Sequence, residues 1–148
     1  MPATLQLHES YVPADTSQPI LDMSVGDALR AAAAAAPERV ALVEIVPVGQ
    51  PSLVGAQRTD RTWTYAELLA EAELCADWLL ERFEPGERVC IWAPNVPEWA
   101  VLAYGMALAG LTLVTANPAL RANELAYVLT QSRSTGLFHA GAFRGSDM

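Results

Sequence analysis

The order of apolar segments predicts an α/β fold, a parallel-rich sheet with helices on both faces. From residue 88 onward, strand, helix, strand, helix and strand follow one another with short links. The segment 88–93, RVCIWA, is apolar on both faces, as in a central parallel strand covered by helices. That order implies right-handed crossovers between parallel strands and an α/β sheet that is covered on both faces.

The chain is expected to begin with an extended lead-in. Residues 1–23 are rich in Pro, Ser, Thr and Asp and show no sustained hydrophobic period. Ser24, three residues before Asp27, predicts the start of a helix of strong helix formers that reaches about Ala36. Pro37 should end that helix.

Two short strands are expected next. Residues 40–46 are apolar and β-branched, and residues 61–64 form a shorter strand that should pair with them antiparallel. The turn residues between them predict a loop at 47–60.

Thr64 and Glu67 have the spacing of a capping box, which predicts a helix start at that point. One apolar stripe should face the core for about five turns, with Cys75 as a packing residue rather than a reactive one. The stripe comprises Leu68, Leu69, Ala72, Cys75, Ala76, Leu79, Leu80 and Phe83. The acidic residues of the other faces are expected to be solvated: Glu67, Glu71, Glu73, Asp77, Glu81 and Glu84.

The second half alternates helices and strands. A turn at 84–87 leads into the strand 88–93, after which Asn95 is expected to cap a helix over 97–109. That helix is apolar on all sides, so it should be sandwiched, and Gly110 should close it with a left-handed cap.

The remaining elements complete the predicted sheet. A strand is expected at 111–116, a turn at Asn117-Pro118, a helix at 122–131 and a last strand at 135–139. The inward residues of that last helix should be Leu125, Val128 and Leu129.

Composition excludes several kinds of function. The net charge is −8 and all nine cations are scattered arginines, so a clustered basic face for nucleic acid cannot form. The absence of lysine excludes a Schiff-base lysine and a phosphate-loop lysine within these residues. The mean hydropathy of +0.20 indicates either a surface meant to be covered or a count inflated by alanines such as the run 31–36.

Cysteines, histidines and hydropathy point to a reduced cytoplasmic protein. Cys75 and Cys90 have neither metal-site nor disulfide-framework spacing, and no secretory signal is visible. The uncharged run 100–116 is too short and too glycine-broken for a membrane span, so a buried helix running into a buried strand explains it better. We expect no role for His8 and a structural one for His139.

Three loops at the predicted carboxyl ends of strands are the candidate ligand sites: 94–96, 117–118 and 140–143. Asn95 and Asn117 have sufficient structural roles as cap and turn former. No G-x-G-x-x-G or G-x-S-x-G motif is present, which argues against nicotinamide binding and serine hydrolysis. No catalytic, cofactor-binding or metal-binding residue is therefore assigned.

Five motifs arrive in an order and spacing that resemble the beginning of the adenylate-forming enzymes: acyl-CoA synthetases, luciferases and peptide-synthetase adenylation domains. They are TWTYAEL, PGERV, NVPEW, MALAGLTLVTANP and NELAYVLTQS. The resemblance covers about residues 25–146, and the lead-in 13–44 with the end FRGSDM is most similar to fatty-acyl-CoA synthetases. Residues 24–148 would then be the incomplete N-terminal segment of an AMP-binding domain.

The resemblance implies activation of a carboxylic acid with ATP and Mg²⁺ as an acyl-adenylate, followed by transfer to coenzyme A. In the family the phosphate loop, the acidic residues and the lysine on the mobile C-terminal domain follow the region present here. The sequence therefore predicts an N-terminal fragment that is inactive alone and whose partner is the remainder of its own adenylation domain. The alternative is a stand-alone, non-catalytic binding or dimerisation module.

Overall fold

The computed structural model of this chain describes residues 13–17, 19–45, 61–143 and 146–147. These residues form four helices and seven strands: α1 Val25–Ala35, β1 Val40–Val43, β2 Thr62–Thr64, α2 Tyr65–Leu80, β3 Arg88–Trp92, α3 Pro97–Leu108, β4 Thr112–Ala116, α4 Ala122–Ser132, β5 Gly136–His139, β6 Ala142–Phe143 and β7 Ser146–Asp147. The lead-in residues 13–17 and 19–24 lie in neither helix nor strand. The predicted loop at 47–60 and His8 lie outside the described residues.

A three-stranded parallel sheet forms the centre of the molecule, in the order β4-β3-β5. Strand β3 pairs with β4 from Arg88↔Thr112 to Trp92↔Ala116, and with β5 from Val89↔Gly136 to Trp92↔His139. The prediction of a central parallel strand is confirmed, because four of the five residues of β3 are buried.

Helices cover both faces of this sheet, as the sequence predicts. On one face, Val89 and Ile91 pack with Leu79 of α2 and Met106 of α3. On the other, Cys90 and Trp92 pack with Leu125 of α4. The alternation of β3 side chains thus divides the sheet core into two clusters, one on each face.

Glycines allow α3 to approach its neighbours closely. A Cβ placed on Gly105 would lie 2.7 Å from Cys75 Sγ of α2, and one on Gly26 would lie 2.8 Å from Leu108 Cδ2. The helix ends as predicted at Gly110, which has φ +71°. Its N–H donates to Ala107 O and that of Leu111 to Met106 O, at 3.3 and 2.8 Å, which is the paired pattern of a Schellman end.

The N-terminal elements pack beside α2 and α3. Strands β1 and β2 pair antiparallel, with an irregularity between Val40 and Leu42. Ser24 and Thr64 cap α1 and α2 in capping boxes with Asp27 and Glu67, which confirms both predicted helix starts.

One predicted cap is wrong. Asn95 does not cap α3; the N-cap is Val96, with no side-chain bond to the helix. The first turn needs less capping than most because Pro97 at its start has no N–H, and the N–H of Trp99 donates to Val96 O at 2.9 Å.

Three predicted boundaries also need correction. Strand β1 ends at Val43 rather than at residue 46, and the Glu44 carboxylate forms an ion pair with Arg61. Helix α2 ends at Leu80, before Phe83, and Leu80 is 47% exposed instead of lying in the buried stripe. The third candidate loop is partly a strand, since Ala142–Phe143 pairs antiparallel with Ser146–Asp147.

Candidate functional site

A cavity of about 270 Å³ opens at the carboxyl ends of β3 and β5. It is lined by Ile91, Ala93, Val96, Glu98, Trp99, Leu102, Phe138, His139, Ala140 and Gly141. The structure thus brings together two of the three loops predicted as ligand sites, those at 94–96 and 140–143. This is the edge at which open α/β sheets bind ligands.

The third predicted loop has a structural role in the observed fold. Asn117 Oδ1 accepts from the N–H of Ala119 at 2.9 Å, which is the Asx turn expected of this residue. The Asn117 carbonyl accepts from Trp92 Nε1 at 3.0 Å. Asn117 and Pro118 do not line the cavity.

The cavity walls are mainly apolar. Trp99 and Leu102 project from α3, Ile91 and Ala93 from the end of β3, and Phe138 from β5. Two titratable side chains, Glu98 and His139, interrupt this apolar lining.

Glu98 is held by a charge network that joins three elements. Arg61 donates from Nε to Glu44 Oε2 at 2.6 Å and from Nη2 to Glu98 Oε1 at 2.8 Å. Its guanidinium also lies 4.8 Å from the centre of the Trp63 ring. The hydrogen bond to Glu44 is the largest cause of the raised pKa of Arg61. The network fixes the first turn of α3 against the β1–β2 pair.

His139 makes a bond whose direction is set by chemistry. Its Nδ1 lies 2.9 Å from the carbonyl oxygen of Ala140, and a carbonyl can only accept. Nδ1 therefore carries the proton, and in the neutral ring Nε2 is an acceptor. The sequence predicted a structural histidine, and the structure places this residue on the cavity wall as well.

The thiols belong to the core rather than to the cavity. Cys90 is buried and Cys75 half-buried, and burial raises the pKa of both thiols. A raised pKa lowers the thiolate fraction, so the packing role predicted for Cys75 agrees with its surroundings.

The part of the chain that the structure describes shows no binding site for ATP with Mg²⁺. Among them no group of three or more His, Cys, Asp or Glu side chains could hold a metal ion, and the 148-residue sequence has no lysine. The carboxylate of Glu98 in the cavity wall would also repel a triphosphate. Of the helices in the described part of the chain, none is long and apolar enough to cross a membrane.

Sequence reasoning missed Arg61, Glu98 and Trp99 as residues of this site. Glu98 and Trp99 could have been proposed from the sequence, because they come shortly after the carboxyl end of a predicted buried strand, where ligand sites lie. Arg61 could not have been proposed in this way, since it lies 37 residues before Glu98 in the sequence.

Comparison with known proteins gives a consistent result. The sequence model of the family described as "AMP-binding enzyme" matches residues 29–146. The medium-chain acyl-CoA ligase ACSF2, mitochondrial, of Macaca fascicularis is 36% identical over 121 residues, which are 81% of this chain and 18% of that protein.

Solved structures agree with the fold. The N-terminal domain of FACL13 from Mycobacterium tuberculosis has a TM-score of 0.68 at 33% identity, over 79% of this chain and 27% of that one. The N-terminal subdomain of NpsA from Klebsiella oxytoca has the same score at 21% identity, over 81% of this chain and 28% of that one, and this shows a shared fold alone. The chain spans about a fifth of the length of the curated relatives it matches, 18% and 20% for the first two.

Proposed function

The chain belongs to the AMP-binding enzyme family, and from this we propose that it is the N-terminal part of an ATP-dependent acyl-CoA synthetase. The whole protein would activate a fatty acid as its acyl-adenylate and transfer the acyl group to coenzyme A. The observation that supports this most is the match of residues 29–146 to the family, together with relatives named as acyl-CoA ligases. Residues 1–23 would be the lead-in and 24–148 the incomplete adenylation domain.

In this proposal the 148 residues are a scaffold. They contain no lysine, and the described residues hold no acidic metal-binding group, so ATP, Mg²⁺ and coenzyme A would be held by residues beyond them. The contribution of this segment is the sheet edge with its cavity and the fixed first turn of α3. We therefore propose no catalytic residue here, and the isolated chain should be inactive.

The test compares the isolated chain with the protein encoded by the intact gene. The reading frame beyond codon 148 is sequenced, and the intact mass of the native protein is measured. Both proteins are then assayed for fatty-acid-dependent release of pyrophosphate from ATP. We expect release by the longer protein and none by the 148-residue chain. Release by the short chain would refute the scaffold role, and a native mass of 15.9 kDa would refute the ligase.

A second candidate function has its own supporting observation. Several apolar side chains on the outer side of α2 are exposed, among them Leu74 at 70% and Trp78 at 44%. Such a surface would suit a stand-alone module that binds a partner or dimerises without catalysis. Sedimentation equilibrium of the 148-residue chain tests this role. A dimer that Leu74→Glu weakens would favour it. A monomer that binds no apolar dye would count against it.

The cytoplasmic location is also part of the proposal. The competing location is mitochondrial, because several relatives are named so. Fractionation of cells that express the tagged intact protein distinguishes the two compartments.

A further inference from the structure

We propose that the side of β5 that faces away from β3, here called the outer edge, pairs with a further strand. That strand comes from the part of the protein that follows residue 148, and the exposed side of α2 covers it. This inference rests on the proposed function, because it assumes that residues 24–148 are an incomplete domain. It adds the surface that joins this segment to the remainder, and the sequence pattern of the strand that pairs there.

The backbone of β5 has hydrogen-bonding groups on its outer edge. The N–H of Thr135 donates to Arg88 O at 2.8 Å, where the pairing with β3 begins. Because the backbone groups of successive residues in a strand point to opposite sides, those of Gly136 and Phe138 point away from β3. No described strand pairs with them, since β5 is the last strand in the order β4-β3-β5. Such an edge is a template for a further strand.

Helix α2 leaves an apolar surface beside this edge. Its Leu79 belongs to the buried cluster over β3, whereas the centre of its Trp78 ring lies 5.9 Å from that of Phe138 on β5. Leu74 lies one turn before Trp78 on the same side of the helix, and these two side chains are 70% and 44% exposed. A strand beside β5 would remove both from water, which favours its binding.

The two edges of the sheet differ in polarity. On β4 the exposed residues are Thr112 and Thr115. On β5, Leu137 is 37% exposed, and it lies on the same face as Cys90, its partner in the register. The β5 edge is therefore apolar on both faces, with α2 on one and Leu137 on the other. The strand that pairs there should be an uninterrupted apolar run, as β3 is.

Chain length and charge favour the remainder of the same protein over a second copy. This chain covers 27% of the solved N-terminal domain of FACL13, so most of a domain of that size lies outside it. The hairpin of β6 and β7 follows β5 after two residues, so a chain that continues from the hairpin starts close to the outer edge. Two copies would instead bring together two chains of net charge −8, which repel each other.

The primary experiment is residue-resolved amide hydrogen exchange of the intact protein and of the 148-residue chain. The amides of Gly136 and Phe138 report on the outer edge, and those of Leu137 and His139, which face β3, are the matched control in the same strand. In the intact protein we expect both pairs to exchange equally slowly. In the 148-residue chain the outer pair should exchange about a hundred-fold faster than the control pair. Fast exchange of the outer pair in the intact protein would overturn the proposal.

Photo-crosslinking of the intact protein identifies the segment that covers α2. A photoreactive benzoylphenylalanine replaces Leu74 in one variant and, as the control, Tyr127 on α4, which is 67% exposed. From the Leu74 position we expect a cross-link to an apolar peptide that follows residue 148 in the same chain. A covalent dimer would show that a second copy lies there and would overturn the proposal. No cross-link within the chain, or the same peptide from both positions, would also overturn it.

Failure of this surface and failure of the proposed function give different results. If the intact protein releases pyrophosphate but Gly136 and Phe138 exchange fast, the ligase stands and no strand pairs with the outer edge. If the two amides are protected and the expected cross-link forms, but no pyrophosphate is released, the surface is assigned correctly and the ligase proposal is wrong. A reading frame that stops after codon 148 would overturn both.

Discussion

The two faces of the sheet are unequal. Helices α2 and α3 cover Val89 and Ile91 on one face, here called the front face. Among the described residues, α4 is the one helix that covers Cys90 and Trp92 on the other, the back face. On the front face several side chains have no exposed surface. On the back face, α4 contributes one buried residue, Leu125. Buried apolar area is the main stabilising term in folding, so the front face should carry most of the stability.

The largest expected effect comes from the same truncation on each face. Leu79 on α2 is 0% exposed and Leu125 on α4 is 7% exposed. Leu79→Ala should cost about 4 kcal/mol, because the tight surroundings keep the cavity open, and Leu125→Ala about 2 kcal/mol, because a single covering helix can settle inward. Urea unfolding followed by circular dichroism measures both. Equal costs would show that the two faces are equally well packed.

A second test overfills the front face. The α2–α3 contact leaves no room at Gly105, where a Cβ would lie 2.7 Å from Cys75 Sγ and 3.3 Å from Ala72 O. Gly105→Val should therefore cost about 3 kcal/mol, at the upper end for overpacking, because a backbone carbonyl cannot move aside. The control is Ala126→Val on the exposed side of α4, which introduces the same side chain into a helix. A small loss at Gly105 would mean that the two helices can separate without cost.

The attachment of the N-terminal strands to the front face depends on Arg61. Its side chain is 26% exposed and that of Glu44 is 12% exposed, so the pair is partly screened by solvent. Arg61→Met should cost about 2 kcal/mol, since it removes the cation that pairs with both Glu44 and Glu98. A double-mutant cycle with Glu44→Gln measures the coupling. A coupling of zero would show that the pair with Glu44 adds no stability, and that Arg61 acts through Glu98 and its packing on Trp63.

The helix ends give a pair of changes with opposite signs. Helix α3 ends in Gly110 with φ +71°, whereas α4 ends in Arg133 with φ +55°. Gly110→Ala should destabilise by about 1 kcal/mol, and Arg133→Gly should stabilise by a similar or smaller amount, because glycine adopts the left-handed region without the Cβ penalty. The midpoints of urea unfolding should move in opposite directions. A shift of both in the same direction would contradict this account.

These helix ends also show which features local sequence can predict. Gly110, Thr64 and Ser24 act through partners within three or four residues, so their residue types and spacing were sufficient. The Asn95 cap was wrong because Asn95 and Val96 precede the same proline, and sequence does not say which of the two carries the boundary.

The central part of the fold was predictable for a related reason. Strand β3 is apolar on both faces, and that pattern is a property of the strand itself. The cavity was predictable only as a location, the carboxyl edge of the sheet. Its wall depends on Arg61 meeting Glu98 and on Phe138 lying beside α3, contacts between segments distant in sequence. No periodicity within one element encodes such pairings.

The smallest expected effect lies at the exposed start of α2, away from both faces. The Thr64 backbone N–H and hydroxyl donate to the Glu67 carboxylate at 2.8 and 3.0 Å, and they lower the pKa of Glu67. A carboxyl whose folded pKa is lowered contributes stability above its unfolded pKa, about 4.3, and loses it as the pH falls through the folded value. Glu67→Gln keeps an acceptor for the capping box but removes the charge. The urea midpoint of the wild type should exceed that of the variant at pH 7, and the gap should close as the pH falls below the unfolded pKa and through the lowered folded one. Asp77→Asn, on the outer side of the same helix, controls for net charge. A gap that stays constant throughout acid titration would mean that the cap acts through its hydrogen bonds alone. The surface ends of the helices would then add no acid sensitivity to the stability set by the two faces.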